Sequence, residues 1–86
     1  MEVRCEPKGA AAFTARARDV SVGGMFVESE ERPAFGTEIS IVGRPPGAGA
    51  PLVLPGVVRW SKDDGFGVQF GLLGAKETHA LTLLLK

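Results

Sequence analysis

The sequence predicts an all-β domain, a sandwich or a barrel, closed by one terminal helix. Three observations predict it. Short runs alternate apolar and polar residues with period two, which is what a half-buried strand needs. Twelve glycines and six prolines cluster between those runs as turn punctuation. After Ala75 the pattern changes to a helical one, with Ala80, Leu81, Leu84 and Leu85 on one stripe and Lys76, Thr82 and Lys86 off it.

The elements follow in order. Glu2–Glu6, "EVRCE", places Val3 and Cys5 on one face of a first strand, and Pro7–Ala10 turns the chain. Phe13–Val20 alternates Phe13, Ala15 and Ala17 against Thr14, Arg16 and Arg18. Ser21–Gly24 is a turn where a glycine, Gly23 or Gly24, takes a positive φ closed to larger residues. Met25–Ser29 completes a hairpin, and Glu30–Gly36 is a polar loop. Thr37–Val42 is the fourth strand. "GRPPGAGAP", Gly43–Pro51, has the composition of a mobile loop. Leu52–Lys62 is a long fifth strand, with Pro55-Gly56 marking a bulge or bend. Asp63-Asp64-Gly65 is a turn by composition. Phe66–Phe70 points Phe66, Val68 and Phe70 inward, and Gly67 within it signals close approach of a neighbouring group. The expected core therefore includes Phe13, Ala15, Val27, Ile39, Ile41, Val68 and Phe70.

Length and charge restrict the function. Eighty-six residues make one small domain, residues 1–86. Ten basic and ten acidic side chains give a formal net charge of zero. A general DNA or RNA binder needs a marked basic excess to neutralise phosphates, so zero net charge argues against that class while leaving room for a local basic cluster. No apolar run approaches the ~20 residues that span a bilayer, and no signal peptide pattern opens the chain. A lone cysteine, Cys5, forms no internal disulfide and points to a reducing, cytoplasmic setting. Cys5 itself reads as a small apolar residue in a strand.

Catalytic chemistry is missing. His79 has no cysteine or second histidine near it in sequence, whereas zinc needs several such ligands. Asp63-Asp64 reads as a solvated turn. No nucleophile motif, phosphate loop or dinucleotide fingerprint appears. The expectation is a non-enzyme with no cofactor and no metal.

One short motif carries more. "DVSVGG", Asp19–Gly24, fits the pattern D/N-x-S-x-x-G. With "GGMFVES", "GVVRWS", "GFGVQF" and a terminal helix following in order, nearly the whole chain resembles the PilZ family of bacterial domains. These are receptors for cyclic di-GMP, or interaction modules in the regulation of motility, polarity and polysaccharide production. The resemblance implies a six-stranded antiparallel β-barrel with a C-terminal α-helix. It also implies ligand contacts from Asp19, Ser21 and Gly24. The family's second element, R-x-x-x-R ahead of the first strand, meets phosphates and guanine edges with guanidinium forks. It has no counterpart here: only Met1 and Glu2 stand there, and "RCEPK" offers Arg4 and Lys8. Arg4, Arg16 and Arg18 are the candidate phosphate contacts in its place, although two solvated arginines on a strand face is the simpler reading of Arg16 and Arg18.

Two function classes follow. In the first, the domain is a degenerate PilZ member that acts through a protein partner and binds cyclic di-GMP weakly or not at all. In the alternative, it is a genuine cyclic di-GMP receptor that uses the D-x-S-x-x-G turn and nearby arginines.

Overall fold

The computed structural model describes residues 1–44 and 49–84. Strands β1 (Glu2–Pro7), β2 (Phe13–Arg18), β3 (Gly24–Glu28), β4 (Glu38–Gly43), β5 (Leu52–Lys62) and β6 (Gly65–Phe70) precede helix α1 (Ala75–Leu84). They close into a barrel in the order β1-β2-β3-β6-β5-β4. Every neighbouring pair is antiparallel, including β1 with β4, which seals the barrel. Closure gives each of the described strands two neighbours, so none of them is an edge strand.

Alternation builds the interior. In β1, Val3 and Cys5 point inward while Glu2, Arg4 and Glu6 face water. Ala17, Met25, Val27, Ile39, Ile41, Val58, Phe66, Val68 and Phe70 fill the lumen, with Phe13 and Ala15 packed against them. All seven residues expected in the core take part. Alanines suit β2 because a six-stranded barrel is narrow inside, and large rings already come from elsewhere. Phe13 meets Phe66 edge to face, with ring centroids 6.1 Å apart and planes at 73°. Leu81 of α1 is fully buried and joins the core cluster. Leu85 of the expected helical stripe lies outside the described residues, as do residues 45–48 of the proline- and glycine-rich loop.

Cys5 is fully buried, and burial pushes its thiol up to about 11. It is therefore protonated at neutral pH and serves as core, not as a nucleophile.

Two expectations need correction. The bulge in β5 is not at Pro55-Gly56. Those residues pair regularly with Ser40 and Ile39 of β4. Gly56 is there for space: a Cβ would meet a Val68 methyl at 2.5 Å and the Gln69 carbonyl at 2.7 Å. The register instead shifts between Val58 and Trp60. Val58 faces Val68 and Trp60 faces Gly67, so Arg59 is the extra residue. A bulge of this kind turns consecutive side chains to one face, and Arg59 and Trp60 are both exposed on the outside.

The second correction concerns the β2–β3 turn. Among the described residues, positive φ occurs at Gly9, Gly36 and Asp19, and not at Gly23 or Gly24. Asp19 has φ 53°. Aspartate and asparagine visit this left-handed region far more readily than other residues with a Cβ, which gives the first position of D/N-x-S-x-x-G a backbone reason.

Candidate ligand groove

The turn is held by its serine. The Ser21 amide donates to the Gly24 carbonyl at 2.8 Å, and the Ser21 hydroxyl donates to the same oxygen at 3.2 Å. The Gly23 amide in turn donates to Ser21 Oγ at 3.3 Å. The Phe70 amide donates to the Gly23 carbonyl at 2.9 Å, tying the turn to the end of β6. Ser21 thus makes the local bonds expected of a turn serine. Asp19 makes an ion pair instead, its carboxylate 3.6 Å from Arg18 Nε.

Gly24 is needed for contact rather than for an unusual φ. It begins β3 opposite Gln69. A Cβ there would lie 2.3 Å from the Val68 carbonyl oxygen, on a strand that cannot move without opening the barrel. Gly24→Val is expected to destabilise the fold by about 1–3 kcal/mol or more, read as a lower urea midpoint. A midpoint equal to that of the native chain would refute the close approach.

The outer face of β3, β6 and β5 lies beside this turn. Phe26 points outward yet is 6% exposed, because cations cover it. Arg18 sits 4.8 Å from its ring centre and Lys62 5.8 Å, both within cation–π range. Trp60 lies over Gly67, where a Cβ would strike the indole ring. The close neighbour foreseen at Gly67 is therefore this indole. Arg59 Nε donates to Gln69 Oε1 at 2.9 Å.

Together these residues line an open groove of about 510 Å³. Arg18, Asp19, Ser21, Gly23, Gly24 and Phe26 form one side, and Arg59, Trp60, Lys62 and Gln69 the other. Asp19, Ser21, Gly24 and Arg18, all singled out from the sequence, meet here. Arg4 and Arg16 do not line it; Arg4 pairs with Glu6 at 3.0 Å. Sequence reasoning missed Arg59, Trp60, Lys62 and Phe26. The available signal was "VRW" itself, a tryptophan beside an arginine in a strand, but its exposure depends on the unforeseen bulge.

A family model described as PilZ domain matches residues 1–85. The chain belongs to the PilZ family. A search of curated proteins found no significant match. Among solved structures, the PilZ domain of CeSA from a cellulose-synthesizing bacterium is similar at 17% identity, with a TM-score of 0.75, covering 96% of this chain and 86% of that one. PilZ domains are regulatory, cyclic di-GMP-binding modules, and the barrel with its terminal helix matches that structure. In this PilZ chain the groove offers an exposed indole face for stacking, hydrogen-bonding groups at the turn, and three cations. Three carboxylates, Asp19, Glu28 and Asp64, face one of those cations, Arg18. Among the described residues no three of His, Cys, Asp and Glu gather as metal ligands, His79 is exposed, and no helix is long and apolar enough to cross a membrane.

Proposed function

We propose that this domain is a non-enzymatic cytoplasmic regulatory module that signals through contact with a protein partner, and that its groove alone binds cyclic di-GMP weakly. The observation that carries this reading is the charge balance of the groove. Cyclic di-GMP brings two phosphate charges. Arg18, Arg59 and Lys62 face it, but Arg18 is already met by Asp19, Glu28 and Asp64. No two arginines in the sequence stand four residues apart, so nothing in these residues supplies the family's R-x-x-x-R. Charge-assisted hydrogen bonds contribute about 1.5–3 kcal/mol each. Two missing guanidinium contacts thus cost on the order of 3–6 kcal/mol, two to four powers of ten in affinity at about 1.4 kcal/mol per decade.

Exposed aromatic surface beside cations supports the protein-contact half of the proposal. Phe35 is 72% exposed and Trp60 45% exposed, and Arg59 lies 6.0 Å from the Phe35 ring centre. Aromatic residues and arginine are the side chains that most often anchor interfaces. The same Trp60, flanked by Arg59 and Lys62 at the signature turn, is what favours the second reading, a genuine cyclic di-GMP receptor.

A calorimetric titration with cyclic di-GMP tests the choice. The native chain is expected to give no saturable heat up to roughly 100 µM, a level equivalent to about −5.5 kcal/mol. Low-micromolar binding that is lost in Arg59→Ala would replace the proposal with the receptor reading.

A further inference from the structure

We propose that Glu28 and Asp64 are built-in competitors that hold Arg18 against its neighbours and so set how poorly the groove accepts a phosphate ligand. This rests on the weak-groove reading above and names the residues responsible.

The geometry is specific. Arg18 points outward from β2, directly across from Phe26 on β3. Glu28 stands two residues further along β3, a diagonal position that long side chains reach. Asp64 lies in the β5–β6 turn, and its carbonyl accepts from the Ser29 amide at 3.1 Å, which fixes that turn to the end of β3. Arg18 Nη1 is 3.1 Å from Glu28 Oε2. Arg18 Nη2 is 3.6 Å from Asp64 Oδ2, and Nε is 3.6 Å from Asp19 Oδ2. Each of the three guanidinium nitrogens faces its own carboxylate.

Asp19 is part of the turn signature. Glu28 and Asp64 are not, and neither lines the groove that Arg18 lines. The same guanidinium therefore belongs to two sites that compete for it. A phosphate entering the groove must displace carboxylates from Arg18, which leaves two negative charges uncompensated close by, or bind without that guanidinium. The pairs are solvent-exposed and individually weak. The hold is reversible, and its effect is graded rather than absolute.

The test removes the charges and keeps the shapes. Glu28→Gln/Asp64→Asn is compared with the native chain and with Glu6→Gln/Glu38→Gln. The control gains the same two charges at carboxylates that pair with Arg4 and Lys8. Far-UV circular dichroism confirms that all three chains are folded. In the ligand-free state, NMR of the Arg18 Nη–H groups, which face Glu28 and Asp64, reads the contact itself. Their signal is expected to shift and exchange faster with solvent in the Glu28/Asp64 variant, and to stay unchanged in the control. Titration with cyclic di-GMP, followed by calorimetry and by the fluorescence of the sole tryptophan, reads the consequence. The Glu28/Asp64 variant is expected to bind about tenfold more tightly than the native chain, on the scale set by removing two nearby like charges in high dielectric. The control is expected to remain within about twofold.

An unmoved Arg18 signal overturns the contact. Equal tightening in the control assigns the effect to net charge and overturns the local mechanism. Absence of tightening in the Glu28/Asp64 variant overturns the competition even if Arg18 is released. Low-micromolar binding by the native chain would sink the weak-groove reading instead, and the ratio between variant and native chain would still decide the role of Glu28 and Asp64.

Discussion

Phe66→Ala is expected to cost about 3–5 kcal/mol, the usual range for truncating a fully enclosed phenylalanine. Phe66 has no exposed surface. It lies on β6, between Val27 of β3 and Ser61 of β5, and its ring meets the edge of Phe13. Its loss removes contacts that join β2 to β6 through the lumen. Closed, hydrogen-bonded strands cannot collapse into the space, so the cavity term adds to the transfer term. At 0.05–0.15 kcal/mol per residue, a chain of 86 residues has roughly 4–13 kcal/mol in all. One substitution therefore removes a large share of it. Urea denaturation should show a much lower midpoint, or no folded baseline. Phe70→Ala should cost less, because Phe70 ends β6 and keeps 8% of its surface exposed. An unchanged midpoint for Phe66→Ala would mean that the ring does not hold the barrel together.

The barrel was legible because its signals are local and redundant. Val3 and Cys5, Ala15 and Ala17, Phe66, Val68 and Phe70 each repeat at period two, and a one-residue register slip would expose all of them. Boundaries moved by one or two residues where backbone pairing outlasts side-chain alternation, as at Gly24 and Gly65. The error at Pro55-Gly56 has a physical source. Proline and glycine in a strand signal either a bend or a close approach, and only the neighbouring strand decides which. Here Val68 and Gln69 decide for close approach. The real bulge, at Arg59, carries no proline or glycine, so composition could not mark it.

The groove was half legible. Asp19, Ser21 and Gly24 lie close together in sequence and announce themselves as a motif. Their roles are only partly readable: Ser21 bonds the turn, while positive φ belongs to Asp19 and steric necessity to Gly24. Arg59, Trp60 and Lys62 reach the same groove from β5 only because β3, β6 and β5 are neighbours in the closed barrel. Long-range pairing of this kind leaves no trace in a local pattern. Phe26 was hidden for the opposite reason. It breaks the alternation of β3, and its burial comes from Arg18 and Lys62 on the outside rather than from the core.

An N-terminal segment carrying R-x-x-x-R directly ahead of Glu2 is expected to give the groove micromolar affinity for cyclic di-GMP. The structure gives a reason why the added arginines would arrive in the right place. The Ala17 amide donates to the Met1 carbonyl at 2.7 Å, and the Met1 amino group donates to the Ala17 carbonyl at 3.4 Å. With Glu2 opposite Arg16, residues placed before Met1 continue antiparallel past Arg18 and Asp19, the rim of the groove. Two guanidinium forks there would meet phosphates while the Trp60 indole offers its face to a base. At about 1.5–3 kcal/mol per charge-assisted bond, the gain over the native chain should be about 100-fold or more, and should fall as salt is raised. Within the extended chain, Asp19→Ala and Ser21→Ala should weaken binding, with circular dichroism separating loss of contact from loss of the turn. If the extended chain binds no better than the native one, the face beside Asp19 is not a latent nucleotide site. Phe35, Arg59 and Trp60 would then be the surface to mutate first in a search for protein partners, because they would be left as exposed aromatic and cationic groups with no ligand to explain them.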